Sequence, residues 1–233
     1  MEETGLSQEN VQLIDRIADF IHRHRKVFWG TLAGILAVLV GVLVYVEFQK
    51  KNLEESTRRI EDVLKQVSQY QNASEAEKEK LEKEIFKELD SILSTYPSYY
   101  AGVRALYVKA DLLYERKEYK VAAELWETLA KKYPKSHLAP ISLMRVSVCR
   151  EELGDLDGAL QALREADSKY GKSFPETPHI IFSMGRIFEA KGDYTEAANS
   201  YNRLIDEHPQ SSWTKLARNR LIYFKVSDLM VKS

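Results

Sequence analysis

Residues 185–209 read GRIFEAKGDYTEAANSYNRLIDEHP, and the spacing of small, aromatic and turn-forming residues in that stretch describes two packed helices. Gly185 and Phe188 share an apolar helical face with Ile181 and Met184. Gly192-Asp193-Tyr194 breaks that helix, and Ala197, Tyr201 and Leu204 begin a second face that ends at Pro209. The unit is an αα-hairpin. Gly192 can take the left-handed conformation that ends a helix, Gly185 and Ala197 let two backbones approach, and Tyr194 and Tyr201 fill the wedge beside them.

The same spacing recurs upstream. Twenty-four residues separate Gly185 from Pro209, Ala110 from Pro134 and Ser147 from Gly171. The turn position falls at Lys117, Gly154 and Gly192, the small residue of the second helix at Ala122, Ala159 and Ala197, and the large one after it at Trp126, Leu163 and Tyr201. A period of 37 to 38 residues makes the chain a helical repeat.

This order of Gly or Ala, turn Gly, Tyr, Ala, aromatic and Pro resembles the tetratricopeptide repeat family. It is closest over 181–209, fair over 106–134, where Lys117 replaces the turn glycine, and weakest over 143–171, where Leu156 and Leu163 replace aromatics and Gly171 replaces proline. The family's usual period is about 34 residues. The extra residues fall in the turns between repeats, at 133–140 and 170–175. Such Tyr-Pro-x-Ser turns look like those of bacterial envelope members of the family. The resemblance implies an all-α solenoid of helix hairpins.

Composition bounds the function. Lys and Arg number 34 against 35 Asp and Glu, with no basic stripe, which argues against a nucleic-acid surface. Cys149 is the single cysteine, so no intramolecular disulfide forms, and on an apolar helical stretch it reads as an inert buried residue. A phosphate-cradling glycine loop, a His-Glu-x-x-His pair, paired cysteines and a nucleophile elbow are all missing from the sequence. His137, His179 and His208 stand near inter-repeat turns. No catalytic residue, metal site or cofactor is expected.

Val11, Ile14, Ile17, Ala18 and Ile21 repeat at helical spacing after a cap at Ser7 or Asn10, giving a short amphipathic helix closed by His22-Arg23-His24-Arg25-Lys26. It reads as a helix on the membrane interface or as a docking helix for a cytoplasmic partner. From Val27 to Val46 no residue is charged, and at about 1.5 Å per residue that run crosses the roughly 30 Å apolar core of a bilayer. Trp29 and Tyr45 mark its two ends. The run is too long and starts too late for a cleaved signal, and no small-x-small site follows it. Gly30, Ala33, Gly34, Ala37 and Gly41 line one side of the span, a surface for another membrane helix, its own copy or a partner's, or else ordinary composition for such a helix. Positive charge is balanced on the two sides. Arg23, Arg25 and Lys26 abut the span, which favours an amino terminus inside and residues 47–233 outside the cytoplasm.

No Gly or Pro occurs between Val42 and Tyr96, and Leu53, Ile60, Val63, Leu64, Val67 and Tyr70 continue a helical face beyond the span. Ser74-Glu75-Ala76-Glu77 is a capping box for a helix whose face is Leu81, Ile85, Leu89 and Ile92. The expected organisation is therefore a cytoplasmic tail (1–26), a transmembrane helix (27–46), a divergent first hairpin (47–97), three repeats (98–209) and a capping helix (210–233) carrying Trp213, Leu216, Ala217, Leu221, Phe224 and Leu229.

The family's groove positions, carried across residue by residue, select Arg104, Tyr107, Asp111 and Tyr114, then Met144, Val148 and Glu151, then His179, Phe182, Arg186 and Glu189. Such a mixture suits extended or partly unfolded polypeptide; the competing reading is that several of these side chains pack between repeats. The whole layout resembles the YfgM-like membrane-anchored proteins that accompany the Sec translocon and periplasmic chaperones. That resemblance implies a bacterial inner-membrane accessory factor for translocated, nascent or unfolded clients. A scaffold for envelope assembly or division, and an organelle receptor facing the cytosol, are the alternatives.

Overall fold

The computed structural model describes residues 15–16, 19–20 and 22–227. The amphipathic stretch of Val11, Ile14, Ile17, Ala18 and Ile21 lies outside the described residues, as does Leu229. Among the described residues the chain is all-helical: α1 (Arg25–Asn72), α2 (Glu75–Thr95), α3 (Tyr100–Glu115), α4 (Tyr119–Lys132), α5 (Leu138–Glu152), α6 (Leu156–Tyr170), α7 (Thr177–Ala190), α8 (Tyr194–Glu207) and α9 (Ser212–Val226). Two compact units form, Met1–Glu55 and Ser56–Ser233.

In the first unit, α1 is long and apolar enough to cross a membrane, and none of its most apolar window is buried. Gly30, Ala33, Gly34, Ala37 and Gly41 are all exposed. A methyl group placed on any of the three glycines would meet nothing within 4 Å. The expected boundary between residues 46 and 47 falls inside this helix.

The second unit is a stack of hairpins in which α4 packs on α3 and α5, α6 on α5 and α7, and α8 on α7 and α9. The repeat inferred from the sequence is written in the backbone. Lys117, Gly154 and Gly192 have φ of 61°, 76° and 78°. The residue after each donates its N–H to the carbonyl five back: Glu118 to Leu113 at 2.9 Å, Asp155 to Arg150 at 2.8 Å and Asp193 to Phe188 at 2.9 Å. These bonds satisfy carbonyls that the ended helix leaves without partners. Asp155 and Asp193 then cap the next helix, accepting from the N–H of Gly158 at 2.9 Å and of Glu196 at 3.0 Å. Glu118 makes no such bond for α4.

Large side chains of each second helix fill the space left by small residues of the first. A methyl group on Gly185 would come within 2.5 Å of Tyr201 Cε1. Trp126, Leu163 and Tyr201 are fully buried, each removing surface from water at about 25 cal/mol per Å². Successive turns are also tied: Tyr133 Oη donates to the Pro97 carbonyl at 2.6 Å and Tyr170 Oη to the Pro134 carbonyl at 3.1 Å. Below them Ile60 and Val63 of α1 pack with Ile85, Leu89 and Ile92 of α2 against Ala101, Ala105, Val108 and Leu112 of α3. Ser74 opens α2, its N–H and hydroxyl both donating to the Glu77 carboxylate, at 3.3 and 2.7 Å. Cys149 is buried, and burial pushes its thiol up to about 11, so it stays protonated and unreactive near neutral pH.

Candidate binding groove

The first helices of neighbouring hairpins stand side by side, and between α5 and α7 they leave a cavity of about 600 Å³. Met144, Val148 and Glu151 line it from α5, His179, Phe182 and Arg186 from α7, and Trp213 from α9 closes one end. Those residues lie at helical spacings on one face of each helix, so the helices' own geometry converges them. The His179 ring stacks on Trp213 with centroids 4.1 Å apart and planes 5° from parallel. Phe182 tilts against the same indole at 5.2 Å and against Tyr201 at 5.4 Å. The wall is thus rigid aromatic surface beside a methionine, an arrangement that holds apolar side chains with little loss of rotamer freedom.

The arginines of the groove are paired with carboxylates, while Glu176 stands 3.9 Å from the His179 ring. Arg186 Nη2 reaches both oxygens of Glu151, at 2.7 and 2.6 Å, and the Glu151 side chain is only 17% exposed. One step down the stack, Arg145 lies 3.8 Å from Asp111; one step up, Arg220 Nε donates to Glu189 at 2.9 Å. Each first helix is therefore stapled to the next by a guanidinium and a carboxylate. Burial pushes the Asp111 carboxyl above the ordinary carboxylate range, against the pull of Arg145 and Arg104. His179 is shifted down by burial, so its imidazole is neutral at pH 7 and stacks on Trp213 as an uncharged ring. Among the described residues no three His, Cys, Asp or Glu side chains gather to hold a metal ion.

The cavity brings together six of the residues selected from sequence: Met144, Val148, Glu151, His179, Phe182 and Arg186. The α3 set stands elsewhere. Tyr107 is 8% exposed and belongs to the core, its ring 6.0 Å from that of Trp126 and its hydroxyl accepting from Arg145 Nε at 3.4 Å. Tyr107 therefore follows the competing reading, packing within the stack rather than lining the cavity. Tyr114 is half-buried between Tyr119 and Trp126, with centroids at 5.3 and 6.1 Å. Arg104 lies over the Tyr107 ring at 5.6 Å, and Asp111 faces Arg145. Glu189 turns toward α8 and α9, accepting from the Tyr201 hydroxyl and from Arg220. Sequence reasoning missed Arg145, Phe174 and Trp213 as lining residues. Phe174 sits in an inter-repeat turn and Trp213 beyond the last repeat, so neither occupies a groove position of a hairpin.

Comparison with known proteins agrees with this architecture. A tetratricopeptide repeat-like domain matches residues 19–231. A protein of Treponema pallidum (strain Nichols) described as a TPR repeat-containing protein is 27% identical over 228 residues, covering 91% of this chain and 95% of its own. Among solved structures, TPR-like repeats of a putative kinesin light chain from Podosopora anserina superpose with a TM-score of 0.55 at 12% identity, covering 76% of this chain and 88% of that one. The apo form of RapI does so with a TM-score of 0.53 at 17% identity, covering 77% and 72%. At those identities the two structures establish the fold alone. With nearly the whole length matched, the chain belongs to the tetratricopeptide repeat-like family, whose fold generally serves as a non-enzymatic scaffold for protein–protein interaction.

Proposed function

We propose that this chain is a membrane-anchored accessory factor that holds extended segments of nascent or unfolded envelope proteins in the groove between α5 and α7. The observation that carries the reading is the aromatic wall of His179, Phe182 and Trp213 facing Met144 across a cavity of about 600 Å³. Its arginines are already paired with carboxylates, so the groove favours apolar side chains spaced along a chain over a single anion. The YfgM-like layout supplies the cellular setting: span at residues 27–46 in a bacterial inner membrane, amino terminus in the cytoplasm, repeats in the periplasm beside the translocon. Gly30, Ala33, Gly34, Ala37 and Gly41 form the face by which the span meets a second membrane helix.

A photo-crosslinking amino acid at Met144 in the full chain is expected to capture translocating envelope proteins, and Phe182→Ala should reduce capture by about tenfold while leaving helix content unchanged. The same probe at exposed Glu124 on α4 is the control. Equal capture from both positions sinks the groove. Topology is read separately: with Cys149→Ser, a cysteine at exposed Lys172 should react with a membrane-impermeant maleimide in intact spheroplasts. Reaction only after lysis would put the repeats in the cytosol.

A further inference from the structure

The period of 37 to 38 residues exceeds the usual one of about 34 by residues placed at 133–140 and 170–175. These two stretches stand against each other and border a second cavity of about 630 Å³. Nine of its ten lining residues come from them, and the tenth is Ile141 of α5. The lengthening of the repeat is thus the source of the cavity.

Its walls are set before anything binds. The rings of Pro134, Pro140 and Pro175 each lock one backbone dihedral. Tyr170 Oη donates to the Pro134 carbonyl at 3.1 Å, which ties one turn to the other, and Thr177 Oγ1 donates to the Phe174 carbonyl at 2.7 Å. The three prolines, with Ile141, Tyr170 and Phe174, make the lining predominantly apolar. Lys135 is the single Asp, Glu, Lys or Arg in it; the side chain is exposed and forms no ion pair with any described residue. A preformed apolar cavity beside one unmatched cation suits an apolar side chain with a carboxylate next to it.

Ile141 and Phe174 line both this cavity and the one between α5 and α7, so the two meet across those side chains. We propose that one extended polypeptide segment occupies both, passing over Ile141 and Phe174, with an apolar side chain between α5 and α7 and a second one, flanked by Asp or Glu, in the turn cavity. This rests on the groove reading above and adds to it a second anchor point and a charge register. Continuity chooses the occupant: a chain already held between α5 and α7 delivers its next residues to the turn cavity at a high local concentration, which a separate ligand lacks. Charge sets the register. The Glu176 carboxylate, in the α5–α7 cavity, meets only the His179 ring, so an acidic residue is repelled there and drawn to Lys135.

The test uses the full chain in nanodiscs and fluorescein-labelled Gly/Ser peptides, read by anisotropy with empty nanodiscs as the blank. One peptide carries a single Phe; a series adds a second Phe, flanked by Asp, progressively farther along the chain. Affinity is expected to pass through a maximum with spacing and there to exceed that of the single-Phe peptide by about tenfold or more. Replacing the Asp with Asn should weaken binding about two- to fivefold, and Lys135→Glu should reverse that order. Lys135 is exposed in a turn, so the helical circular dichroism of the variant should match the parent. Benzoylphenylalanine in place of the second Phe should label residues 134–141 or 170–175. Phe182→Ala should weaken the single-Phe peptide, which reports on the α5–α7 cavity. If it does so while the second Phe adds nothing, the Asp preference survives Lys135→Glu, or the label lands outside the two turns, the second anchor is overturned and the groove stands. Binding of no peptide overturns both. A concentration-dependent dimer abolished by Lys135→Glu would assign the turn cavity to a second copy instead.

Discussion

In the hairpin of α3 and α4 the small position is Ala110 and the ring of the second helix is Trp126; in the hairpin of α7 and α8 they are Gly185 and Tyr201. The indole N–H of Trp126 is buried and has no hydrogen-bond acceptor, and the large ring gathers Tyr107 and Tyr114 against itself. The Tyr201 hydroxyl donates to Glu189, whose carboxylate holds Arg220 of the helix beyond. One hairpin thus spends its aromatics on its own core. The other ties itself to α9 and leaves Phe182 and His179 at the groove. The same repeat position, occupied by a ring of different chemistry, decides whether neighbouring aromatics become core or binding surface.

The comparison breaks most visibly at Tyr201. Replacing it with Ala removes a fully buried ring and leaves Glu189 with one partner fewer, at a cost of about 3–5 kcal/mol in chemical denaturation. Hydrogen exchange should show α8 and α9 opening before α3 and α4. Loss of protection spread evenly over the stack would mean that the tie to α9 is not what distinguishes this hairpin.

A smaller effect follows from His179. Burial lowers its folded-state value below the ordinary 6.5, with Arg186 reinforcing the shift and Glu176 opposing it. Below 6.5 the unfolded chain takes up a proton that the folded chain declines. Stability from this group is therefore fully present above that value and is lost as pH falls from it through the folded-state value. His179→Phe keeps the stack on Trp213 and should flatten this part of the pH profile of thermal unfolding. An unchanged profile would place the titration elsewhere.

The smallest change sharpens the contrast from the other side. Lys117 sits at φ 61° where the later hairpins have glycine, and Glu118 replaces their capping aspartate. Lys117→Gly and Glu118→Asp should each stabilise the hairpin of α3 and α4 by about 0.5–1 kcal/mol, measured as a shift in denaturation midpoint. No gain from either would mean that the αL turn is relieved in solution.

The repeat was legible because hairpin packing imposes fixed spacings, strict enough that Lys117 could be placed at the left-handed position despite being the wrong residue for it. Helical spacing also put Met144, Glu151, Phe182 and Arg186 on the faces of α5 and α7 that line one cavity. Depth was not. Tyr107 occupies a groove-facing position in the family pattern, yet whether its ring stands out or folds onto Trp126 depends on a residue of a different helix. Trp213 and Phe174 were missed for a related reason: periodicity speaks only of residues inside the repeat, and these two enter the groove from a turn and from the helix beyond.

The phenols of Tyr133 and Tyr170 each fasten a turn completed thirty-six residues earlier, at Pro97 and Pro134. On a ribosome making about 5–20 residues per second, each turn therefore waits about 2 to 7 seconds for its fastener, roughly the time needed to synthesise one repeat. Each of these two hairpins is born with its entry turn unlatched, and it is the end of its own second helix that closes it. Interrupted synthesis would leave one open turn at the growing end, and only there.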